Sequence, residues 1–154
     1  MKRCVALLLV CLFAAPLAIA QEEAANNMEI VREAIQAQKK VLIAENMGLS
    51  QTEADAFWPV YEEYQVAMKK IMDKDIAMIE KFAKHYGEMT DEVADEIIKA
   101  HFANEEEFLK LKKSYLPKFQ KVLPATKVAR YFQLENKIAA VIEYDLAAEI
   151  PLVE

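Results

Sequence analysis

The sequence predicts an all-α fold, an elongated four-helix hairpin with two long helices. Three observations predict it. Apolar residues recur at helical spacing in four successive stretches. Only 2 glycines occur in 154 residues, too few for the turns and phosphate loops of a β-sandwich, a Rossmann unit or a P-loop protein. Each break between stretches also carries a helix stop or start signal. The length fits one domain, and 6 Tyr, 7 Phe and 1 Trp in a chain that is 55% hydrophobic exclude disorder.

The first segment reads as an export signal. Lys2 and Arg3 precede the apolar run CVALLLVCLFAA at 4–15, which is of signal-peptide length and too short to span a bilayer. Ala18 and Ala20 are the small residues of a cleavage site. Residues 1–20 are therefore expected to be removed, and 21–154 to form a single all-helical domain, exported and periplasmic in a Gram-negative source. Cys4 and Cys11 leave with the signal, so the processed chain has neither disulfide nor thiolate chemistry. It keeps 17 basic and 25 acidic side chains, a net of about −8.

The first helix is expected over 26–47, with Met28, Val31, Ile35 and Leu42 as its stripe and Gly48 as a left-handed stop. Ser50 and Glu53 then form a capping box. The second helix runs from about Gln51 to Tyr86 on Phe57, Tyr61, Tyr64, Met68, Ile71, Met78 and Phe82, with Asp75 interrupting the stripe. Pro59 should bend it or end its first turn, and Gly87 closes it. Thr90 caps a third helix over 91–122, on Val93, Ile97, His101, Phe108, Leu111, Tyr115, Phe119 and Val122, with a kink at Pro117. Pro124 suits the first turn of a fourth helix on Val128, Tyr131, Leu134, Ile138, Val141 and Leu146, and Pro151 ends it. At 1.5 Å per residue the two long helices measure about 54 and 48 Å. The shorter outer pair cannot cover both, so an apolar stripe is left for a second chain and a homodimer is expected.

Charge is unevenly distributed. The segment KLKKSYLPKFQKVLPATKVAR at 110–130 holds seven basic residues and no acidic one. Phe108, Tyr115 and Phe119 are interleaved with Lys112, Lys113, Lys118, Lys121 and Arg130. Such a strip attracts acidic or unfolded segments over long range and holds them by apolar contact. These eight residues are the candidate binding set. The competing reading is a solvated basic face that complements the acidic helices of the same bundle. Export and the net negative charge argue against nucleic acid as the partner.

The start Leu49-Ser50-Gln51-Thr52-Glu53, the run FWPVYEEYQ at 57–65 and the segment LPATKVARYFQLENK at 123–137 resemble the Spy/CpxP family of periplasmic helical proteins. That family carries Leu-Thr-x-x-Gln motifs at helix starts. Ser50 and Glu53 stand here in place of Thr and Gln, and Pro124 and Lys127 in place of the second pair. The resemblance implies an ATP-independent chaperone or envelope-stress protein, dimeric and cupped, that binds unfolded or envelope proteins. The alternatives are a sensor or adaptor for one folded envelope partner, and a periplasmic metal-responsive protein.

Other chemistry finds little support. His101 and Glu105 share a helix face and His85 lies near Glu88, but a tetrahedral metal site needs about four ligands. No metal or other cofactor is expected. Ser50 and Ser114 are the two serines, and no phosphate-binding loop or nucleophile–base pair is visible. No catalytic residue is assigned and no enzyme activity is expected. After signal cleavage no membrane insertion is expected.

Overall fold

The computed structural model describes residues 34–153. The expected signal segment at 1–20 and the expected first helix up to residue 33 lie outside the described residues. The chain divides into two compact units, one ending at Glu45 and the other beginning at Asn46. Four α-helices and one 3-10 turn make up the described secondary structure, with no strand among the described residues. They are α1 over 34–47, α2 over Gln51–His85, the turn Tyr86–Glu88, α3 over Asp91–Val122 and α4 over Ala125–Glu149. The all-α fold expected from the periodicity is the one observed.

The helix starts follow local chemistry. Ser50 Oγ accepts from the Glu53 amide at 3.3 Å, and the Ser50 amide donates to Glu53 Oε2 at 2.8 Å, closing the capping box of α2. Thr90 Oγ1 accepts from the Val93 amide at 3.3 Å and starts α3. Pro124 lies one residue outside α4, not in its first turn. Its extended backbone presents the carbonyl to the Lys127 and Val128 amides at 2.9 and 3.0 Å.

The breaks differ from one another. Gly48 has φ of 56°, the left-handed stop that only glycine adopts without strain. Gly87 instead lies in the 3-10 turn, with no positive φ. The turn at the hairpin tip therefore does not depend on it. Neither Pro59 nor Pro117 ends its helix, because α2 and α3 continue through both. Each proline removes one backbone donor, and both lie on exposed positions where water reaches the freed carbonyl.

Within the unit from Asn46 onward, α2 and α3 run antiparallel. Polar cross-links mark their register from base to tip: Lys118 to Glu63 at 2.7 Å, Lys74 to Glu107 at 2.6 Å, Asn104 to Asp75 at 2.7 Å, and Lys81 to Glu96. The N-terminal part of α4 packs across the base. Phe119 and Tyr131 meet there with ring centroids 4.7 Å apart, and Phe57 meets Tyr131 at 5.2 Å. Phe57, Tyr64, Phe119 and Tyr131 are fully buried, and Tyr61, Met68, Ile71, Tyr115, Leu123 and Val128 nearly so.

Two details depart from the expected core. In α1, Ile35 and Leu42 are about half exposed, while Ile43 and Met47 are buried. The buried line of α1 is thus one position on from Leu42. Towards the tip, Met78 and Phe82 are only half buried. A pair of helices with no third layer leaves both flanks of its seam open to water.

Candidate functional site

Helix α3 carries two apolar stripes. Phe108, Leu111, Tyr115 and Phe119 turn towards α2 and α4, with Tyr115 and Phe119 buried and Phe108 and Leu111 half buried. Ile98, Phe102, Leu109 and Leu116 form the other stripe, with 47, 61, 52 and 38% of their surface exposed. One residue is 100° around a helix, so Leu109 and Leu116 lie about a quarter-turn from Phe108 and Tyr115. Spacings of four, seven and seven residues keep the second set on one line.

Burial removes part of the candidate set from the surface. Phe119 presents no surface and Tyr115 almost none, because both fill the space between α2, α3 and α4. They belong to the core rather than to a face that meets another molecule. Lys118 lies 4.1 Å from the Tyr115 ring centroid and pairs with Glu63, whose carboxylate also accepts from the Tyr115 hydroxyl at 3.1 Å. The Lys118 ammonium, then the Tyr115 hydroxyl, holds the Glu63 carboxyl below the usual carboxylate range, and Glu63 raises the Lys118 ammonium in turn. Arg130 Nε donates to the Asn46 carbonyl at 2.6 Å. Lys127 donates to the Gly48 carbonyl at 3.0 Å and pairs with Glu53, whose carboxyl it lowers. Lys118, Lys127 and Arg130 thus tie the bundle together, as the competing reading of the basic segment required.

Of the remaining lysines, Lys110, Lys113 and Lys121 are exposed and Lys112 is half buried. Lys110, Lys112, Lys113 and Lys121 make no ion pair among the described residues. Lys112 and Lys113 flank the line from Leu109 to Leu116. The exposed apolar and basic face is therefore Leu109, Leu116 and Lys113, with the half-buried Lys112 at its border, extended towards the tip by Phe102 and Ile98. Sequence reasoning missed its four apolar members, although their spacing was a readable signal. At the tip end, an open groove of about 390 Å³ is lined by Phe82, Met89, Ile97, Ile98 and Val153, with Asp95 at its edge.

The polar interruptions of the stripes have separate fates. Asn104 is buried and donates to Asp75, whose carboxyl burial pushes above its ordinary range. His101 is exposed and lies against Phe102, at 5.5 Å between ring centroids. His85 Nδ1 lies 2.8 Å from the Lys81 carbonyl, which accepts its proton. No group of three or more metal-ligating side chains occurs among the described residues. Ser50 is held by its cap, and Ser114 Oγ donates to the Leu111 carbonyl. No helix among the described residues is long and apolar enough to cross a membrane.

Compared with protein-family models, with curated proteins and with solved structures, the chain matches none of them.

Proposed function

We propose that the protein is an exported, ATP-independent, chaperone-like binder of unfolded clients, acting in the periplasm and related in role to the Spy/CpxP proteins its helix starts resemble. The observation that supports this most is the exposed stripe of α3, where Phe102, Leu109 and Leu116 stand in water beside Lys112 and Lys113. Large apolar groups aligned along one helix and bordered by unpaired charges form a weak, reversible docking surface. The lysines attract acidic stretches of an unfolded chain from a distance, and the apolar groups hold it briefly. No chemical step is involved, and no cofactor is needed.

The test is aggregation of a chemically unfolded client on dilution, followed by light scattering with the protein near equimolar and no nucleotide present. A marked delay is expected, smaller in high salt because exposed charges are screened beyond about 10 Å at 0.1 M. Lys112→Glu with Lys113→Glu weakens the delay. Unchanged protection by that variant, or no protection by the parent, contradicts the reading.

A further inference from the structure

The groove at the hairpin tip lies where α2 ends and α3 begins. Phe82, Met89, Ala94, Ile97 and Ile98 line it, with Asp95 as the charged residue of that lining. Its last wall is Val153, which is distant in sequence. Helix α4 brings it there. The 25 residues of α4 measure about 37 Å, close to the length of α3 from Val122 back to Ile98. Val128 and Tyr131 anchor α4 in the base, and it buries no residue past Glu135. Every residue from 140 to 149 is exposed, Val141, Tyr144 and Leu146 among them, and then Ile150 is half buried. The far half of α4 is thus a solvated arm whose tail faces the hairpin again.

We propose that this groove binds extended apolar peptide segments, and that Ile150 to Val153 is its built-in occupant, a strap that a client segment displaces. This rests on the client-binding reading above, because Ile98 belongs both to the groove and to the exposed stripe of α3. The strap shows what the groove accepts. Ile150 has extended backbone, with φ of −88° and ψ of 114°, as the residue before a proline prefers. An extended segment of polyproline type repeats every three residues. That repeat sets Ile150 and Val153 on one side and turns Leu152 away, in agreement with a half-buried Ile150, a Val153 that lines the groove and a Leu152 that is 88% exposed. The strap is also loosely held. Val153 stays 55% exposed, and the groove remains open beside it, so the tail fills one side only. An unfolded chain offers longer apolar segments in the same extended form and can fill the rest.

Fluorescence anisotropy tests the groove, with a labelled peptide of the strap's own sequence, AEIPLV, as probe. The parent binds it weakly, because a tethered tail competes for the same space. Ile150→Asp with Val153→Asp withdraws the tail and tightens probe binding by about tenfold or more, since the site is then free in every molecule. A chain stopped at Glu149 does the same. Ile98→Asp added to the tail variant removes the gain. The substituted positions are exposed or half buried, and circular dichroism shows unchanged helix content in each protein. Equal probe binding by the parent and both opened proteins overturns the strap, and absence of binding by all of them overturns the groove as a site. A gain that survives Ile98→Asp puts the probe elsewhere and overturns both. Client aggregation is followed on the same proteins, and the opened ones protect better than the parent. Unchanged protection removes the groove from client binding. If the probe binds as expected while no protein delays aggregation, the client-binding reading fails and the peptide groove stands.

Discussion

The two ends of the α2–α3 hairpin are built differently. At the base, α4 supplies a third layer, and Phe57, Tyr61, Tyr64, Tyr115, Phe119 and Tyr131 pack ring against ring. At the tip no third helix packs on the pair, and Val153 of the C-terminal segment lines an open groove there with Phe82 and Ile98. Between Met72 and Ala103 no residue is fully buried. The difference shows what a third helix contributes. It closes the flank of a two-helix seam and converts half-buried side chains into a core. The base therefore holds the fold, while the tip is held by one stripe and by ion pairs such as Lys81 to Glu96, which are worth little on an exposed surface.

Truncations should separate the two ends most strongly. Phe119→Ala or Tyr131→Ala removes a fully buried ring from the base and is expected to cost about 3–5 kcal/mol of unfolding free energy. Phe82→Ala at the tip is expected to cost less than about 1.5 kcal/mol, since its ring is half solvated already. Denaturant titration measures both, and equal losses would dissolve the distinction. Amide hydrogen exchange sharpens it, because the tip should open locally while the base exchanges only on global unfolding.

Much of this was legible beforehand. The periodicity marked the helices, and Ser50, Glu53 and Thr90 set two of the starts within a residue. The inward stripe of α3 was legible as Phe108, Leu111, Tyr115 and Phe119, but the second line of Leu109 and Leu116, at the same spacing one residue on, was not, because only the placement of α2 and α4 leaves it exposed. The same ambiguity made Leu42 rather than Ile43 the expected buried residue of α1. The meeting of Asp75 with Asn104 was hidden for a related reason. Each interrupts its own stripe, and their contact depends on a register that spacing alone does not fix.

That polar pair gives the next largest effect. Asn104→Ala leaves the half-buried Asp75 carboxylate without its donor and is expected to cost about 1–3 kcal/mol. Asp75→Asn with Asn104 retained should cost less. Glycine substitutions rank below. Gly48→Ala forces a side chain into left-handed backbone, at about 1–2 kcal/mol. Gly87→Ala is expected to be neutral or slightly stabilising, because a Cβ there meets nothing within 4 Å and φ is not positive. Thermal melts of the pair test whether the stop at Gly48 and the turn at Gly87 differ as described.

The smallest effect is the pH dependence, and it has opposite signs at different carboxyls. Burial raises the Asp75 carboxyl, which also faces Glu105 and His101. Its folded form therefore takes up a proton before its unfolded form, and the contribution of Asp75 to stability rises as pH falls through that range. Glu53 and Glu63 at the base are lowered by Lys127 and Lys118. Their contribution is complete above the unfolded carboxylate range and is lost as pH falls through their lowered folded values. Stability should pass through a shallow maximum on acidification and then drop. Asp75→Asn should remove the rise and leave the drop, as melts between neutral pH and pH 3 would show.

The central claim is that the outward stripe of α3 serves binding and not folding. Phe102→Ser combined with Leu109→Ser tests it most directly, with client aggregation and thermal unfolding measured on the same preparation. The account predicts loss of most client protection with a melting temperature within a few degrees of the parent. Full protection by the double variant would contradict it, as would a collapse in stability comparable to that of Phe119→Ala.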